Sequence, residues 1–158
     1  MTLTHSPARS TLLDADQLLR TTELLARDRD LLRHLDPSSP ERSWHRLEST
    51  DALEVWLIGW PAGTSTGWHD HVGSRGAFRT VLGTLTESTW AGGGPREREL
   101  SEGSGRSFGA KHIHDVVNRS GSFAASIHAY APALRGMNRY VIEQERLVLL
   151  GVDEGDSW

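Results

Sequence analysis

The chain has 158 residues and a formal net charge of −4, with 37% hydrophobic and 24% charged residues. That length supports one domain with a real core, and the composition excludes both a disordered chain and a membrane-embedded one. There is no cysteine, which removes disulfides, iron–sulfur clusters, thiolate zinc sites and cysteine nucleophiles together, so any metal must be held by histidine or carboxylate. The mild acidity argues against a nucleic-acid partner bound through broad phosphate neutralisation.

The opening residues Met1-Thr2-Leu3-Thr4-His5-Ser6-Pro7 carry no basic region followed by an apolar stretch. No run approaches the roughly 20 apolar residues that span a bilayer, so the expectation is a cytoplasmic protein with no membrane partner. Residues 1–10 are polar and read as frayed. From Thr11 to Leu35 the leucines (Leu12, Leu13, Leu18, Leu19, Leu24, Leu25, Leu31, Leu32, Leu35) recur at spacings that build an apolar helical stripe, with Asp14 or Asp16 as the cap. The charged run Arg27-Asp28-Arg29-Asp30 predicts a break between two short helices, and Asp36-Pro37-Ser38-Ser39-Pro40 stops the helix.

Beyond Pro40 the periodicity becomes that of strands. Residues 53–60, 77–82 and 84–90 are strand candidates, followed by a turn or loop over residues 91–95. Further candidates are residues 107–110, 114–118, 123–130 and 139–150. Many short strands with glycine-rich turns and no βαβ repeat predict an all-β sandwich or barrel. The expected organisation is a helical flap over residues 1–45 packed on a barrel over residues 46–150, with a loose acidic tail at 151–158, all one domain.

Eight histidines are present, five of them in the strand-rich part. His69 and His71 lie two apart, so on a strand their imidazoles share one face and can converge on one ion. His112 and His114 repeat that spacing, and His128 lies in the last long apolar strand candidate. Ser126, His128 and Tyr130 alternate, so all three share a face of their strand.

The residues around these histidines resemble the cupin superfamily, and within it the cysteine dioxygenases and related thiol dioxygenases. Gly63, His69, His71 and Gly83 match the first cupin motif, and Gly103, His114 and Asn118 match the second. The finer likeness rests on Trp68-His69-Asp70-His71 with Ser74, on residues 81–87, on His114-Asp115-Val116-Val117-Asn118 and on residues 125–132. It covers roughly residues 44–140. The resemblance implies a cupin fold (a double-stranded β-helix, or jelly-roll barrel) with a short helical N-terminal segment. Its motif register selects His114 over His112 as the third ligand beside His69 and His71, leaving His112 on the surface or behind the ligands. It also implies Fe(2+), and as reaction the addition of both atoms of O2 to a thiol, cysteine giving cysteine sulfinic acid.

Ser126, His128 and Tyr130 then resemble the family's relay, with Tyr130 facing the sulfur chemistry. Arg46, two residues after Trp44, falls in the region where the family places the arginine that holds the substrate carboxylate; Arg135 and Arg139 are alternatives. Trp60 resembles a tryptophan near the pocket, and Met137 falls where animal members have a pocket cysteine. Position 76, a glutamate ligand in general cupins and a crosslinking cysteine in animal cysteine dioxygenases, is glycine; Tyr130 is therefore expected to be unmodified. Gly109 and Lys111 stand where cupins usually show proline and glycine. The expected partners are a small thiol and O2, on a monomer or weak oligomer. The rival readings are the same chemistry on 3-mercaptopropionate and a metal-binding cupin without catalysis.

Overall fold

A computed structural model of the chain describes residues 12–154. The polar start of the chain, expected to fray, and residues 155–158 of the expected tail lie outside the described residues.

The helical segment begins at α1, Ala15–Leu25. Asp14 caps it: its carboxylate accepts from the Gln17 backbone N–H at 2.8 Å, and the Gln17 side chain accepts from the Asp14 N–H at 2.8 Å. The expected break follows, and the second short helix is a 3-10 helix over Arg29–His34. Eleven strands come next: β1 Ser43–Ser49, β2 Glu54–Trp60, β3 His69–Asp70, β4 Arg75–Leu82, β5 Thr84–Ala91, β6 Gly94–Ser101, β7 Gly105–Phe108, β8 His114–Val117, β9 Ala124–Ala131, β10 Gly136–Glu143 and β11 Arg146–Glu154. They form a five-stranded sheet in the order β1-β2-β9-β4-β7 and a six-stranded sheet in the order β11-β10-β3-β8-β5-β6. Every strand pairing is antiparallel.

Strand periodicity sorts the core into two layers. Val55 and Leu57 of β2, Ala77 and Val81 of β4, and Ala125, Ile127 and Ala129 of β9 form one cluster with Leu18 of α1. Their alternates Trp56, Ile58, Trp60, Phe78 and Tyr130 form a second cluster with Leu85, Leu100, Phe108 and Val116. The helical segment thus covers one face of the five-stranded sheet and the six-stranded sheet covers the other. This is why β2 and β9 are buried at every position: a strand covered on both faces loses its polar alternation.

Four expectations change. Strand β1 begins at Ser43, three residues before the expected boundary between flap and barrel at residue 46. The stretch expected as one strand over 139–150 is a hairpin of β10 and β11 turning at Gln144 and Glu145, both with positive φ (48° and 61°). Strand β11 continues through Glu154, so Gly151 to Glu154 pair with β10 and are not a loose tail. Strand β6 was not expected, because its Arg96-Glu97-Arg98-Glu99 segment is exposed and carries no apolar alternation. It is held by pairing with β5 through a two-residue turn at Gly92 and Gly93, whose φ values of 62° and 89° suit glycine.

Candidate metal centre and its pocket

Three imidazoles meet between the sheets. The two-residue strand β3 places His69 directly opposite His114 of β8; His71 follows two residues later. All three are at most 2% exposed, and their ligand nitrogens lie within 4.8 Å of one another. His69 Nδ1 is 2.9 Å from the Gly67 carbonyl and His114 Nδ1 is 2.9 Å from Glu87 Oε1. Both partners only accept, so both Nδ1 atoms carry the proton and both Nε2 atoms present bare lone pairs. Those Nε2 atoms are 3.1 Å apart, and buried His71 Nε2 has no hydrogen-bond partner.

Burial, reinforced by the neighbouring imidazoles, holds His69 and His71 well below the usual histidine pKa. Burial lowers His114 too, against the opposing pull of Glu87. Neutral imidazoles whose lone pairs converge repel one another unless a cation sits among them, so this donor set fits a metal ion.

On β9 the alternating face carries the relay. The indole Nε1–H of Trp60 donates to Ser126 Oγ at 2.8 Å. The Ser126 hydroxyl is 2.8 Å from His128 Nε2, and His128 Nδ1 is 3.2 Å from the Tyr130 hydroxyl. The indole can only donate, so Ser126 accepts from Trp60. With the Ser126 proton donated to His128 Nε2, His128 Nδ1–H donates to the Tyr130 oxygen. The Tyr130 proton is then free to point into the pocket. Burial lowers His128 to about 3, and burial together with Glu54 raises Tyr130; the first stays neutral and the second stays a donor at neutral pH.

The pocket beside the histidines is walled by Arg42, Trp44, Trp56, Met137 and Arg139, together with His128 and Tyr130. Trp60 is not on this wall; it is fully buried behind it and holds Ser126. Nor is Arg46 on the wall. Its Nε lies 3.5 Å from Glu54 Oε1 and its guanidinium stands over the Trp56 ring, 4.5 Å from the centroid. Arg139 of β10 lines the pocket too; the arginine that enters it from the N-terminal side is Arg42, one residue before β1. It stacks over Trp44 and Trp60 at 4.9 and 5.3 Å. Burial, then the charge of Arg139, lowers its pKa to about 10. Arg139 Nε donates to Asp153 at 2.6 Å and its Nη1 to the Thr66 carbonyl at 3.0 Å. Arg135 is exposed. Among the described residues no carboxylate lines the pocket.

Two residues, Arg42 and Glu87, escaped the sequence reading as parts of the site. Glu87 is fully buried behind His114, and its signal was a glutamate on the same strand face as the apolar Leu85. His112 Nε2 also reaches Glu87 Oε1, at 2.9 Å, so His112 stands behind the ligands. Asn118, read as a motif marker, is fully buried and donates to the Trp60 and Ser122 carbonyls, each at 2.8 Å.

A family model for cysteine dioxygenase type I matches residues 15–143. No curated protein matches the chain in sequence. Among solved structures, the protein TT1209 of Thermus thermophilus is similar at 22% identity and TM-score 0.58, covering 66% of this chain and 95% of that one. A double-stranded β-helix protein of Klebsiella pneumoniae is similar at 14% identity and TM-score 0.56, over 74% of this chain and 90% of that one. A cupin superfamily protein of Desulfitobacterium hafniense is similar at 12% identity and TM-score 0.56, over 64% and 86%. These likenesses show the fold, and the family model adds the lineage: the chain is a cupin that belongs to the cysteine dioxygenase type I family.

Proposed function

We propose that the chain is an Fe(II)-dependent thiol dioxygenase that converts L-cysteine and O2 to cysteine sulfinic acid. The observation that carries this reading is the juxtaposition of three converging imidazoles with the half-buried Arg42 on the pocket wall. His69, His71 and His114 would hold the metal. The chemistry iron(II) supplies when bound there is deprotonation of the thiol and the gathering of thiolate and O2 at one centre.

The remaining steps belong to the protein. Arg42, fixed against two tryptophans, offers a planar fork to the substrate carboxylate. Trp60, Ser126 and His128 orient the Tyr130 hydroxyl so that its proton faces the sulfur and the oxygen arriving on it. Trp56 and Met137 wall the site from water. Both oxygen atoms end on sulfur, and the thiol proton is returned to the sulfinic acid, so no external reductant is consumed.

The absence of an acidic side chain on the pocket wall, among the described residues, favours one second reading. A substrate ammonium has no carboxylate to meet, so 3-mercaptopropionate, which keeps thiol and carboxylate and lacks the amine, fits the same wall. Anaerobic iron loading followed by oxygen uptake with cysteine, 3-mercaptopropionate and cysteamine tests both. Uptake with cysteine at one sulfinate per O2 supports the first reading, a clear preference for 3-mercaptopropionate moves the assignment to the second, and no uptake with any of the three removes both.

A further inference from the structure

Behind the candidate ligands, one buried carboxylate serves two histidines. Glu87 Oε1 accepts from His114 Nδ1 and from His112 Nε2, each at 2.9 Å, while Arg106 Nε lies 3.0 Å from Oε2. The His112 ring stacks on Phe108 with centroids 4.7 Å apart and planes 17° apart, and Phe108 stacks in turn on His71 at 4.9 Å and 21°. The room for Phe108 comes from Gly76: a Cβ there would lie 2.6 Å from Phe108 Cζ. The position that holds a glutamate ligand in general cupins is therefore filled by an aromatic ring, and a carboxylate stands one layer further out.

We infer that Glu87 is the positioning residue of the metal centre, fixing His114 directly through Nδ1–H and His71 indirectly through the His112–Phe108 stack. This rests on the proposed metal role of His69, His71 and His114. The physical reason is twofold. A carboxylate on Nδ1–H admits a single tautomer, the one with Nε2 free to ligate, and it makes that nitrogen a stronger donor. A stacked aromatic layer fixes the plane of His71, whose Nε2 has no hydrogen bond to orient it. Glu87 stands behind His114 and outside the His69, His71 and His114 set, although with His112 and His114 it forms a second group whose ligand atoms lie within 4.8 Å of one another; with the metal held by the three histidines, its removal acts on the affinity of the site rather than on a reacting atom.

The test is cobalt(II) binding to the full chain, read from the ligand-field absorbance in competition with a chelator. The natural protein should bind one ion per chain and His69→Ala should bind none. Glu87→Gln, which keeps the shape and removes the charge, should bind roughly 10- to 100-fold more weakly. His112→Ala should lose less, because Glu87 still holds His114. Affinity of Glu87→Gln within about threefold of the natural protein, with His69→Ala empty, overturns the inference alone. Equal affinity in the natural protein and His69→Ala overturns the metal assignment and the inference with it. Should Glu87→Gln fail to fold, the natural protein decides. In its zinc-loaded form a far-downfield proton resonance bonded to His114 Nδ1 is expected, and a His114 ring with no proton on Nδ1 overturns the inference.

Discussion

At the scale of single residues, two arginines four positions apart have different fates. Arg46 meets Glu54 and the face of Trp56, whereas Arg42 is half-buried against Trp44 and Trp60 on the pocket wall. Removing a charge-assisted contact from a water-poor pocket costs about 2–4 kcal/mol. Arg42→Ala should therefore lower kcat/KM for cysteine roughly 30- to 1000-fold, while leaving kcat/KM for cysteamine, which has no carboxylate, unchanged. Arg46→Ala should change kcat/KM for cysteine by less than about threefold, since it leaves the wall intact. Steady-state kinetics on the two variants check this, and equal losses in both would remove Arg42 from the role. Gly76 makes a second residue-scale prediction. A Cβ there would meet Phe108 Cζ at 2.6 Å and Tyr130 Cδ1 at 2.9 Å. Overpacking of this kind costs about 1–3 kcal/mol. Gly76→Ala should lower the melting temperature accordingly and reduce turnover by shifting Tyr130.

At the scale of elements, β9 is the strand that joins fold to chemistry. One of its faces, Ala125, Ile127 and Ala129, packs with the α1 layer; the other carries Ser126, His128 and Tyr130 toward the pocket. Trp60 on the neighbouring β2 anchors this relay from a site at 0% exposure. Trp60→Phe should remove one buried hydrogen bond, worth about 1 kcal/mol, and should lower kcat more than it raises KM. A variant with unchanged kcat would show that Trp60 is core only. Deleting most of the fully buried Leu18 of α1 should cost about 2–5 kcal/mol in Leu18→Ala. Because that side chain packs on the opposite face of the sheet from the pocket, metal binding at 25 °C should persist. Denaturant unfolding and metal titration of the same variant separate the two effects.

At the scale of the whole molecule, the space between the sheets holds buried histidines as neutral groups. Burial, then the neighbouring His114 imidazole and the charge of Arg42, lowers His128 to about 3, while in the unfolded chain a histidine titrates near 6.5. Above that unfolded value both states are neutral and the fold keeps its full stability. As pH falls below it the unfolded chain takes up a proton that the folded chain refuses, so stability declines until the folded pKa is reached. Each such histidine contributes a slope of about 1.4 kcal/mol per pH unit. Unfolding free energies measured between pH 7 and 4 on the metal-free protein should therefore fall with pH. In His128→Gln the slope should shrink by one histidine's share; an unchanged slope would show that His128 is not held neutral. Among the described residues no helix is long and apolar enough to cross a membrane.

The all-β character, the capped N-terminal helix and the faces of β9 are legible in the sequence because each depends on a local period: 3.6 residues for α1, two for the strands. The same period of two brings His69 with His71, and Ser126 with His128 and Tyr130. What the sequence left open depends on which side chains meet across distance. Strand β6 has no apolar stripe and exists through its partner β5. The β10–β11 turn uses Gln144 and Glu145 at positive φ, residues that carry no turn signal. Which arginine joins Arg139 on the wall depends on where β1 enters the sheet: Arg42, one residue ahead of the strand, stacks against Trp44 and Trp60 there. Trp60 is read from sequence as a pocket residue and is found one layer behind, since β2 is buried on both faces. Glu87 is a strand glutamate by sequence and a buried carboxylate in the fold, because only the pairing of β5 with β8 sets it against His114. Local periodicity decides which way a side chain faces along its own strand; only the stacking of two sheets decides what it faces.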